Sequence, residues 1–246
     1  MINMIKKYLM MIAIMMVALG AFAQTDESKE GIGQRFLSDE VCLQCALSLP
    51  EPPSETSEKF AKDIKEYKSG KEEREKKNIR EEVLREDETS ILALFSSVLG
   101  LKVSKENTPE IYKLAKTAIN DASFAAAKGK EHFKRTKPYV YFHEESLTSK
   151  GDGDNFNDKK NSYPSGHSTR GWMLALVLAN IASEHSAALL KCAEQYATYR
   201  VIMGRHWKSD IDAGRKLAVT LYAKEVASPE YQQQVLKAKS EYKSKR

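Results

Sequence analysis

Apolar residues recur along this chain at three- and four-residue spacing, the period of helices that bury one face. Phe60, Ile64 and Tyr67 mark such a face in the charged stretch from Ser54 to Glu86, which Ser69-Gly70 interrupts. Ser90 to Leu99 is apolar and runs into Gly100, a helix stop. Thr108-Pro109-Glu110 reads as an N-cap followed by proline at the first helical position. From there Ile111, Leu114, Ala115, Ala118, Ile119 and Ala122 carry one face onward, to about Lys134. Three further helices are predicted at about 168–183, 186–203 and 210–226, and a charged tail helix from near Pro229. Tyr139-Val140-Tyr141-Phe142 is the one good strand candidate. The pattern predicts an all-α fold, a single compact helical domain.

The N-terminus follows a different pattern. Lys6 and Lys7 precede the apolar run Tyr8 to Leu19, and Ala21-Phe22-Ala23 supplies small residues before Gln24. This predicts a signal peptide over residues 1–23 and a secreted or periplasmic product. A retained anchor is the second reading, because a spanning helix needs about 20 apolar residues. No later stretch is apolar enough to cross a bilayer. Residues 24–47 read as a polar lead-in and residues 48–246 as the folded domain.

Charge and cysteines add little to this picture. The chain has 39 Lys and Arg against 34 Asp and Glu, a net charge of +5. Losing Lys6 and Lys7 with the leader narrows that excess, which is too small to imply nucleic acid. An oxidising compartment would allow a Cys42–Cys45 bridge, leaving Cys192 as a thiol buried in an Ala- and Leu-rich helix. The pairing of the three stays open. The polar loop from Ser146 to Ser162 holds Asp152, Asp154, Asn157 and Asp158, but Phe156 stands where a calcium loop needs a ligand.

Three segments carry candidate chemistry. In Arg200-Val201-Ile202-Met203-Gly204-Arg205-His206-Trp207-Lys208-Ser209-Asp210, Gly204 ends one helix and Ser209 suits the N-cap of the next. His206 therefore falls at a corner, with Asp210 close enough to hold one imidazole nitrogen and leave the other free to attack. Alone, this would be read as a structural His–Asp pair. Pro164-Ser165-Gly166-His167 is a tight turn entering the helix near Ser168. There backbone N–H groups and the Ser165 hydroxyl make an anion site, with His167 beside it. In Lys130-Glu131-His132-Phe133-Lys134-Arg135-Thr136-Lys137-Pro138, Lys130 and Lys137 share a face if helix persists to Pro138. Lys128 and Arg135 offer a competing register at the same spacing.

Taken in order, these segments resemble the signature of the type 2 phosphatidic acid phosphatase superfamily. That signature is Lys-x6-Arg-Pro, then Pro-Ser-Gly-His, then Ser-Arg-x5-His-x3-Asp. The likeness extends to the bacterial class A non-specific acid phosphatases. It runs through Pro52-Pro53, the segment from Glu106 to Leu114, and His206-Trp207-Lys208-Ser209-Asp210-Ile211-Asp212-Ala213-Gly214-Arg215. The resemblance implies a metal-independent acid phosphatase with no cofactor, acting on small phosphomonoesters such as nucleotides, sugar phosphates and aryl phosphates. It also implies a chain able to form homo-oligomers. By matching position, His206 would be the nucleophile, Asp210 its orienting carboxylate, and His167 the general acid. Lys130, Lys137, Ser165, Gly166 and Arg200 would bind phosphate oxygens. The chain departs from the pattern at three positions: Lys137 replaces arginine, Tyr199 replaces serine, and Met203 replaces a cysteine common in class A members. Alternatives are a vanadium-dependent haloperoxidase, whose extra histidine has no counterpart shortly after His167, and a phosphate-binding relic.

Overall fold

The computed structural model describes residues 33–147 and 159–246. The predicted leader at 1–23 and the acidic loop residues Asp152, Asp154, Asn157 and Asp158 lie outside the described residues. The elements are α1 (Asp39–Leu47), α2 (Glu58–Glu75), α3 (Lys77–Glu88), α4 (Ile91–Leu99), α5 (Pro109–Phe133) and α6 (Pro138–Tyr141). They continue with α7 (Gly166–Ile181), a 3₁₀ turn (Ser183–His185), α8 (Ser186–Ile202), α9 (Lys208–Glu225) and α10 (Pro229–Ser244). No strand occurs among the described residues. No helix among them is long and apolar enough to cross a membrane.

Helix α7 is apolar nearly all round, which suits only a central position. Its Met173, Leu174, Ala175, Val177 and Leu178 are fully buried, and α8, α9 and α5 pack around it. Helices α1 and α10 pack in turn on α5. Thr108 gives α5 no side-chain cap. Instead Glu241 of α10 accepts from the N–H groups of Glu110 and Ile111 at 3.1 and 2.9 Å. That carboxylate satisfies two donors that a helix start leaves open.

Several elements differ from expectation, each for a local reason. Ser69-Gly70 does not interrupt α2; the break comes at Lys76, whose extended backbone separates α2 from α3. Gly70 is instead a close-packing position, where a β-carbon would lie 3.0 Å from the Val201 carbonyl. Tyr139 to Phe142 is not a strand. Pro138 and the following residues form the short helix α6, with Lys137 at its N-cap. Residues 39–47, read as part of a polar lead-in, form α1 and bury Cys42, Cys45 and Ala46 in the core. All three cysteines are free thiols, and burial pushes Cys42 up to about 12.

Candidate active site

The site forms where the ends of α5, α7, α8 and α9 converge. Helix α8 stops at Ile202, and Gly204, at φ 77°, turns the chain in a conformation that side chains disfavour. The N–H groups of Arg205 and His206 both return to the Arg200 carbonyl, at 3.0 and 3.1 Å. This knot fixes Arg200 and His206 relative to each other. Helix α9 then starts at Lys208 with Trp207 as N-cap, rather than after an N-cap at Ser209.

Asp210 consequently sits in the first turn of α9, and its carboxylate is held from several sides. Oδ2 accepts from Trp207 N–H at 2.8 Å and from the Ser162 hydroxyl, while Oδ1 accepts from Arg135 Nη1 at 2.6 Å. Complete burial pushes the Asp210 carboxyl up to about 6, while Arg135, Ser162 and the Trp207 N–H pull it back. Oδ2 also stands 3.4 Å from His206 Nδ1. That nitrogen is buried and otherwise without a hydrogen-bond partner. Among the described residues Asp210 is the carboxylate paired with the ring.

Arg135 has a structural task that its place in a charge run did not reveal. Its other terminal nitrogen donates to Asp63 Oδ2 on α2 at 2.7 Å, and Asp63 Oδ1 accepts from Ser209 N–H at 2.8 Å. Asp63, Arg135 and Asp210 form a buried chain that locks α2 and the 134–138 segment to the start of α9. Arg135 is committed to two carboxylates, and Lys128 pairs with Glu131 at 2.8 Å on the surface of α5.

Lys130 and Lys137 do not share a helix face, because α5 ends at Phe133 and Lys134 turns left-handed at φ 47°. The chain leaves the helix, returns extended, and brings Lys137 in from α6. Trp207 anchors that return by donating Nε1 to the Thr136 carbonyl at 2.9 Å. Lys137 is almost fully buried. Despite the lost periodicity, both lysines bear on His206.

The second motif enters α7 two residues earlier than expected, at Gly166. The Ser165 hydroxyl accepts from Ser168 N–H at 3.4 Å and keeps its own proton to donate. Ser165 N–H donates to the Asp210 carbonyl at 3.0 Å, which ties this turn to α9. Gly214 of α9 permits the approach, since a β-carbon there would lie 2.7 Å from the Ser165 carbonyl.

These groups share one electrostatic environment. Burial first, then Lys137, Lys130, Arg200 and Arg205, hold His206 well below the usual histidine range. Burial first, then Arg200, Arg170, His206 and Lys130, do the same to His167. Both rings are therefore neutral in the empty site, in the midst of cations. An anion arriving there would be attracted strongly and would raise both values again. Arg170 and Arg205 were not singled out in the sequence. Arg205 adjoins His206, and Arg170 follows Gly166 by one helical turn, which was the available signal.

Helix α3 supplies carboxylates that no motif suggested. Asp87 pairs with Arg200 Nη1 at 2.7 Å, and Glu82 accepts from the Tyr199 hydroxyl. Tyr199, where a serine was expected, thus ties α8 to α3. Met203 places its sulfur 3.0 Å from Arg200 Nη1. Among the described residues no cluster of three or more metal-ligating side chains occurs.

Comparison with known proteins finds one family and several relatives. The family model described as PAP2 superfamily matches residues 113–231. A non-specific acid phosphatase of Providencia stuartii is 33% identical over 210 residues, covering 84% of each chain. One of Salmonella typhimurium is 30% identical over 222 residues, covering 86% of this chain and 85% of that one. An acid phosphatase of Zymomonas mobilis is 29% identical over 200 residues, covering 80% and 72%.

Proposed function

The chain belongs to the PAP2 superfamily and is an acid phosphatase of small phosphomonoesters, and on that premise we propose that it works through a covalent phosphohistidine at His206. The reading rests on one observation. A histidine whose basicity is lowered first by burial and then by surrounding cations has one nitrogen 3.4 Å from a fixed carboxylate and the other left to attack.

The phosphate dianion enters among Lys130, Lys137 and Arg200, against the Ser165 hydroxyl and the Gly166 N–H that opens α7. Phosphoryl transfer asks chiefly for positioning and charge stabilisation, which cations and amides supply. His206 Nε2 attacks phosphorus in line with the departing oxygen. Its ring becomes cationic, and Asp210 stabilises it through Nδ1–H as aspartate does in a catalytic triad. His167, neutral in the empty site, gains basicity as the dianion binds and takes up a proton from solvent or substrate. It protonates the leaving oxygen and then takes a proton from the water that cleaves the phosphohistidine.

In this reading no metal takes part, and the leader at residues 1–23 delivers the enzyme to the periplasm or beyond. Depressed histidine values keep the nucleophile unprotonated into acid solution. Turnover of p-nitrophenyl phosphate, with EDTA and with vanadate, tests the proposal. EDTA-resistant, vanadate-inhibited hydrolysis is expected. Loss of activity in EDTA would overturn the metal-free mechanism, and bromide oxidation dependent on vanadate would favour a haloperoxidase.

A further inference from the structure

The catalytic reading leaves Arg170 unused. Arg170 lies on α7 one turn after Gly166 and His167, and helical side chains lean back toward the N-terminus. A β-carbon built on Gly166 would lie 3.4 Å from Arg170 Nη1 and 3.7 Å from Lys130 Nζ. The guanidinium therefore reaches the helix opening where the phosphate is received. It bears on His167, the proposed proton donor to the leaving group, and on Tyr196, whose ring centroid lies 5.6 Å from that of His167.

Arg170 makes no hydrogen bond or ion pair among the described residues. That is costly here. It is part-buried, and its guanidinium shares the opening at Gly166 with the Lys130 ammonium, so a like charge crowds it. Local conflicts of this kind mark sites where function has set the residue. Asp87 pairs with Arg200.

We propose that Arg170 is a specificity-determining residue that binds a second phosphoryl group on the leaving-group side, so that the favoured substrates are diphosphates cleaved at the terminal phosphoryl. This rests on the phosphohistidine reading above. A diphosphate fits better than a sugar bisphosphate because its second phosphorus is bonded directly to the departing oxygen, beside His167. Guanidinium matches such a group with two parallel hydrogen bonds. The terminal phosphorus bonds to His206 as its bond to the bridging oxygen breaks. That oxygen leaves on the second phosphate with the His167 proton. Water then supplies an oxygen to phosphorus and returns a proton to His167, so one water is consumed for each anhydride bond.

The test compares kcat/KM for inorganic pyrophosphate with that for p-nitrophenyl phosphate in the wild type, Arg170→Leu and Arg170→Lys. The ratio of the two should fall about 10–100-fold in Arg170→Leu and less in Arg170→Lys, from loss of one or two charge-assisted contacts. Inhibition gives a second reading independent of turnover. Methylenediphosphonate should bind the wild type more tightly than phosphate does, and that advantage should vanish in Arg170→Leu. A ratio unchanged within about threefold, equal affinity for both inhibitors, or a wild type that cleaves the nitrophenyl ester but not pyrophosphate would overturn the proposal. A wild type inert toward both substrates would instead defeat the phosphatase reading beneath it.

Discussion

Replacing Arg135 by glutamine separates a structural cation from the phosphate-binding cations. Arg135 is 9% exposed and joins two carboxylates, Asp63 and Asp210, that are 2% and 0% exposed. Removing one partner of a buried pair costs about 3–5 kcal/mol, because the charge left behind is uncompensated. With about 2–4 °C lost per kcal/mol in a domain of this size, Tm should fall by about 6–20 °C at neutral pH. The deficit should shrink in acid. Without Arg135 the Asp210 carboxyl, which burial already holds at about 6, rises further above its unfolded value. The variant then recovers stability as pH falls and loses it as pH rises. Lys137→Met removes a proposed phosphate-binding cation, so kcat/KM should fall about 10–100-fold for one lost charged contact. Thermal unfolding at pH 5 and 7.5, beside kcat/KM for p-nitrophenyl phosphate, reads both effects. An Arg135→Gln protein with unchanged Tm and a kinetic loss exceeding that of Lys137→Met would refute the assignment.

Three further outcomes follow from the same geometry. Lys137→Arg restores a guanidinium fork in place of a point charge and should preserve or raise kcat/KM, whereas a loss would mean the buried pocket admits only lysine. His167→Ala should slow phosphorylation most for alkyl phosphates, whose leaving oxygen needs a proton, and less for nitrophenyl phosphate; equal losses would make His167 a positioning residue only. Glu225 is fully buried against Asp121, and burial first, then Asp121, hold its carboxyl well above the usual 4.5. The folded state thus keeps a proton that the unfolded state releases, so stability falls as pH rises above about 4.5, by about 1.4 kcal/mol per pH unit within that window. Glu225→Gln should flatten the dependence of Tm on pH above about 4.5, and an unchanged slope would reject the buried proton.

Much of the helical order was legible because its signals are local. Gly100 stops α4, and Pro109 opens α5, each through its own backbone chemistry. The corner at Gly204 and the turn at Ser165-Gly166 were legible for the same reason. What the sequence concealed depends on distant residues. Asp63 meets Arg135 across 72 positions, and Asp87 meets Arg200 across 113. No period links such pairs. Gly70 looked like an interruption, but its lack of a side chain serves the approach of Val201 rather than a helix end. Tyr139 to Phe142 has strand-like residue types, yet Pro138 is well suited to a first helical position and no partner strand occurs among the described residues. Lys130 and Lys137 do bear on one histidine, though through a helix end and an extended return rather than a shared face.

The most direct test of the central claim is to trap the intermediate. Rapid acid-free quenching during turnover of radiolabelled phosphomonoester, followed by peptide mapping, should find an acid-labile, base-stable phosphoramidate on the peptide carrying His206. The label should be absent from His206→Ala, whose turnover should also be lost while vanadate binding survives in part. Label on His167, an acid-stable phosphoester, or near-normal turnover by His206→Ala would contradict the account.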